Sequence, residues 1–168
     1  MSLVLETGAG LSNADSYVSI AESDTYISNS FFPGDWSGKA DYDKEKLLKT
    51  ATKYLDSFYD FKGDKTVPTS SLRWPRRGVY DSDGLAIGEN TIPDRLKSAV
   101  IELAIYLASN NLLEEQDSRG IKDIKVDVVE ITFERSEKGW KMPNTVSHFM
   151  RGLGTLATNA KVGKLIDA

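Results

Sequence analysis

The chain has 168 residues, enough for one domain with a substantial core. Its 21 Lys+Arg against 25 Asp+Glu leave a net charge of −4, which excludes a surface that grips nucleic acid all over but permits a local basic patch. There is no cysteine, so disulfides and thiolate metal sites are excluded, and a reducing compartment fits. Met1 to Gly10 has no basic region and no apolar run of signal-peptide length, and no window is apolar enough for a membrane span. A soluble, intracellular protein without membrane contact is expected.

Residues 1–18, with Gly8, Gly10, Asn13 and Asp15, read as an extended lead-in. Gly8-Ala9-Gly10 lacks a third glycine and a preceding buried strand, so it does not support dinucleotide binding. Ser19 and Glu22 form a capping box that predicts a helix over 20–29. Phe31-Phe32-Pro33-Gly34 ends it, and Trp36 falls in the following loop. Leu47, Leu48, Ala51, Tyr54, Leu55 and Phe58 recur at three- and four-residue spacing and predict a helix over 43–61. Lysines and acids fill its other face, and Gly63 is a natural stop.

The stretch from Gly63 to Thr91 shows no strong periodicity and reads as a long loop. Within it, Asp81-Ser82-Asp83-Gly84 with Glu89 resembles the start of a calcium loop. The glycine comes at the fourth place rather than the sixth, and an Asp-Gly turn explains the segment more simply. Ile92-Pro93-Asp94 starts a helix over 93–110 that is apolar on more than one face. Such a helix is central, or lies between the core and a neighbouring subunit. Residues 121–134 change to a period of two, with a parity slip between Val128 and Val129 that suggests a bulge or a change of the face being buried. This ribbon lacks partner strands, so Val126, Val129, Ile131 and Phe133 are candidate oligomer-interface residues.

Pro143 and Asn144 open a helix over 144–153 carrying His148, the one histidine, which has no companions for metal or acid–base chemistry. The expected fold is mostly α: a small bundle of about four helices, a β-ribbon near 121–134 and a long loop at 63–91. Residues 1–155 form the domain and 156–168 a flexible tail. There is no Gly-Lys-Ser/Thr phosphate loop, no Ser-based triad and no metal or cofactor motif, so no enzymatic activity is expected.

Arg73-Trp74-Pro75-Arg76-Arg77-Gly78-Val79-Tyr80 is the most informative stretch. Pro75 and Gly78 forbid regular helix, leaving a tryptophan and three arginines in a rigid loop. Either Trp74 and Pro75 cap the core, or Arg73, Trp74, Arg76, Arg77 and Tyr80 form a partner or nucleic-acid contact that stacks bases and neutralises phosphates. Trp36 would extend such a surface. The net negative charge favours the structural reading.

Four segments occur in a telling order. They are Thr7-Gly8-Ala9-Gly10-Leu11-Ser12-Asn13-Ala14-Asp15-Ser16-Tyr17; Trp74-Pro75-Arg76 with Gly78-Val79 and Asp83-Gly84; Ile92-Pro93 with Lys97, Ala99 and Glu102-Leu103-Ala104; and the Val126–Phe133 ribbon. In that order the chain resembles a tailed-phage and prophage family labelled DnaT-like single-stranded-DNA-binding protein, and is similar to head–tail connector adaptors. The resemblance covers most of residues 5–155. It implies a virion structural protein: a neck adaptor forming a homo-oligomeric ring under the portal protein, in contact with other neck and tail proteins and with passing DNA. Arg73 and Arg77 depart from the small or apolar residues of relatives. The leading expectation is this adaptor; the alternative is a single-stranded-DNA-binding module built on the Arg73–Tyr80 loop.

Overall fold

The computed structural model describes residues 2–30, 33–110, 123–126, 129–132 and 142–157, with backbone alone for 123–126 and 129–132. The helices are α1 (Ile20–Ser28), α2 (Asp41–Phe58), α3 (Asp94–Ser109) and α4 (Asn144–Met150). The strands are β1 (Tyr59–Phe61), β2 (Asp64–Lys65), β3 (Arg76–Arg77), β4 (Asp123–Val126), β5 (Val129–Thr132) and β6 (Gly154–Leu156). They make three antiparallel pairs, β1–β6, β2–β3 and β4–β5. Four helices stand near their expected places, but the fold is mixed rather than mostly α.

The predicted capping box starts α1: Ser19 Oγ accepts from the Glu22 amide, and the Glu22 carboxylate accepts from the Ser19 amide. α2 buries Leu48, Ala51, Thr52 and Leu55 on one face. α3 buries Leu96, Ala99, Val100, Ile101, Leu103 and Ala104. It packs against α2 on one side and α4 on another, so its broad apolar surface is accounted for within the chain. Each fully buried leucine contributes on the order of 1.5–3 kcal/mol.

α2 ends at Phe58 rather than 61 because the chain there turns extended and pairs with β6, Tyr59 opposite Leu156 and Phe61 opposite Gly154. The Ala157 amide donates to the Phe58 carbonyl at 2.7 Å. Leu156, expected in the tail, is thus a strand residue, while residues 158–168 lie outside the described residues. Gly63 turns β1 into β2 instead of stopping a helix. Its φ of +65° and the Arg77 carbonyl, 2.1 Å from where a Cβ would sit, require glycine there.

The expected long loop contains β2, β3 and a bridge between Tyr80 and Ala86, and it buries Leu72, Trp74 and Val79. The expected ribbon is a hairpin whose register sets Val126 opposite Val129 and Ile124 opposite Ile131. The antiparallel pairing reverses the chain between Val126 and Val129, and Val128, at the parity slip, lies outside the described residues. Phe133 lies outside the described residues.

Candidate nucleic-acid interface

The Arg73–Tyr80 loop is held from beneath. Trp74 is 0 % exposed, with its ring edge-on to Phe61 at a centroid separation of 6.3 Å. The Trp74–Pro75 peptide is cis. The Trp74 amide donates to Tyr17 Oη at 3.1 Å, and Tyr17 Oη donates to Asp56 Oδ1 at 2.8 Å. The Arg73 amide donates to Asp56 Oδ2 at 2.9 Å. One carboxylate on α2 therefore fixes the course of the loop.

Arg76 is also inside. Its Nε donates to the Lys62 carbonyl at 2.6 Å, Nη1 to Arg73 at 3.2 Å, and Nη2 to Phe61 at 3.4 Å and to Gly63. The planar fork thus satisfies the carbonyls of the β1–β2 turn without any carboxylate partner. Burial, followed by the neighbouring Arg73 charge, lowers its pKa.

These positions correct the five-residue contact expected from sequence. Trp74 cannot stack on a base because its ring fills the core, and Arg76 is a poor phosphate ligand because it is buried and four of its five N–H donors are held by backbone carbonyls. Trp36 is 1 % exposed, with Nε1 donating to Asp24 Oδ1 at 2.7 Å, so it extends no surface. Arg73, Arg77 and Tyr80 remain exposed. Lys65 pairs with Arg76 and Asp64 with Arg77, so strand alternation sets Arg77 on the face of the β2–β3 ribbon opposite Lys65.

Two sequence motifs resolve into local structure. The Gly8-Ala9-Gly10 loop wraps the chain's own carboxylate: Glu6, 1 % exposed, accepts from the amides of Gly8, Gly10 and Leu11 at 2.8, 2.9 and 2.7 Å. These amides are therefore committed to an internal anion. In the Asp81 segment, Oδ1 accepts from the Asp83 and Leu85 amides, the expected Asp-Gly turn. Among the described residues no acidic or histidine cluster has metal-holding geometry. His148 is exposed on α4.

The basic feature lies beside the loop. A cleft of about 520 Å³ opens between α2 and residues 65–73, lined by Lys49, Lys53, Lys65 and Arg73 with Asp15 and Asp56. Lys49 pairs with Asp15 at 2.7 Å, and Lys65 Nζ donates to the Ser70 carbonyl at 2.6 Å. Among the described residues, the Lys53 ammonium and the Arg73 guanidinium make no hydrogen bond or ion pair. Lys49, Lys53 and Lys65 were not singled out from the sequence. The available signal for the first two was Lys46, Lys49 and Lys53 recurring at three- and four-residue spacing opposite the buried stripe of α2.

Burial raises Asp56 to about 6, outweighing the Arg73 amide, the Tyr17 hydroxyl and the Arg73 and Lys65 charges that favour its anion. The folded pKa exceeds the unfolded value, so this group's contribution to stability is full below about 4 and is lost as pH rises through about 6. Carboxyl-carbon NMR is expected to show the Asp56 midpoint near 6. Asp56→Asn is expected to flatten the dependence of stability on pH between those two values.

The chain belongs to the family described as Putative DnaT-like ssDNA binding protein, whose profile matches residues 1–166. No curated protein matches, and no solved structure matches. The family description overturns the head–tail adaptor expectation and favours its DNA-binding alternative. The part of the ring expectation that rested on α3 also falls away, since α3 finds packing partners in α2 and α4 of the same chain.

Proposed function

We propose that this protein binds single-stranded DNA without catalysis, and that the cleft between α2 and the Arg73 loop receives the sugar–phosphate backbone. The observation carrying this reading is that, among the described residues, the Lys53 ammonium and the Arg73 guanidinium flank the cleft without a hydrogen bond or ion pair, beside Lys49 and Lys65. In a chain of net charge −4, four cations against two carboxylates form a local reversal of sign. A groove that tracks phosphates needs that local excess and not a basic protein overall. The bland alternative is a solvated lysine face of α2, which would bind nothing.

Anisotropy titrations of a labelled oligonucleotide over a range of salt separate the two. Three or four phosphate contacts are expected to give a slope of log affinity against log salt of about −2 to −3. Lys53→Ala and Arg73→Ala are each expected to flatten that slope by about 0.7. Absent binding, or binding indifferent to salt and to both substitutions, overturns the reading.

A further inference from the structure

A phosphate-binding cleft alone does not select single strands; an open aromatic face does, because only unpaired bases can stack on it. Both tryptophans among the described residues are buried, Trp36 at 1 % and Trp74 at 0 % exposed. Two described aromatic side chains stand well into solvent, Tyr42 and Tyr80, each 57 % exposed. Tyr80 adjoins the acidic Asp81-Ser82-Asp83 turn, a poor approach for a polyanion.

Tyr42 is itself flanked by Asp41 and Asp43, but unlike Tyr80 it shares a helix face with a row of lysines. On α2, Tyr42, Lys46, Lys49 and Lys53 follow at intervals of four, three and four residues, which places them along one face of the helix. That face is opposite the buried Leu48, Ala51 and Leu55 and runs towards the cleft. At the helical rise, Tyr42 stands about 16 Å along the axis from Lys53. Lys46 Nζ sits 3.8 Å from the Tyr42 ring centroid, covering one face of the ring, and also lies 3.8 Å from Asp43 Oδ1. A ring still 57 % exposed beneath that contact keeps its other face open.

We propose that Tyr42 is a base-stacking platform at the far end of the same track, so that the strand runs along α2 from the Lys53–Arg73 cleft to Tyr42. The inference rests on the DNA-binding reading above. Its simpler rival is a local Tyr–Lys pair that only supports the helix, worth a few tenths of a kcal/mol.

The test uses the full chain, a thymidine oligomer and an abasic oligomer of equal length and charge. Tyr42→Ala is expected to weaken binding of the thymidine oligomer roughly 5- to 100-fold and to leave the abasic oligomer unaffected. Tyr42→Phe is expected to restore binding, and Lys53→Ala to weaken both oligomers alike. If Lys53→Ala weakens both while Tyr42→Ala alters neither, or alters both equally, the platform is disproved and the DNA-binding reading stands. A selective loss in Tyr80→Ala instead would likewise disprove it. If the parent chain binds neither oligomer, both ideas fall together.

Discussion

Trp74→Ala is expected to lower stability by about 3–5 kcal/mol, the cost of emptying a packed aromatic site. The indole is fully buried, meets Phe61 edge-on, and is attached to the backbone amide that reaches Tyr17. Its Nε1 is buried with no hydrogen-bond partner among the described residues, so the polar end of the ring adds a penalty rather than a bond. Trp74→Phe keeps much of the apolar volume and removes that donor, and should recover most of the loss. Urea denaturation measures both. A loss below about 1 kcal/mol for the alanine variant would place the ring in solvent.

Arg76→Ala is expected to cost about 1–3 kcal/mol, because it leaves partly buried carbonyls at Phe61, Lys62, Gly63 and Arg73 without their donor. Arg76→Lys should recover little, since one ammonium cannot span a site built for a planar fork. The same variants, measured under folding conditions, should leave the salt dependence of DNA binding unchanged. Arg73→Ala should show the converse: a flatter salt slope with little change in the denaturation midpoint. Three residues apart in sequence, the two arginines would then separate into one that holds the fold and one that, on the proposed reading, meets the ligand.

The helices were legible because each rests on a local signal. Ser19 and Glu22 announce α1, the apolar spacing of residues 47–58 announces α2, and Pro93 with Asp94 announces α3. Pairing between distant segments was not legible. Nothing near Tyr59 shows that Gly154–Leu156 will lie beside it, so the helix pattern ran on past its true end. The candidate site was half legible: composition singled out Arg73 but could not tell it from Arg76, whose fate depends on the turn carbonyls that surround it. The lysines of α2 were visible as a polar face. Their meaning came only when the loop folded against them to make a cleft.

The pairing of β1 with β6 also sets an order of events during synthesis. Tyr59 emerges early, yet its partner Leu156 lies almost a hundred positions later, after α3 and α4. Until that late segment arrives, the edge of β1 has no ladder to join, and the end of α2 is tied on one side only. The cleft, whose walls are α2 and the loop after β1, therefore gains its full support only once that segment has been made. A nascent chain would carry the lysine face long before it carried a finished groove.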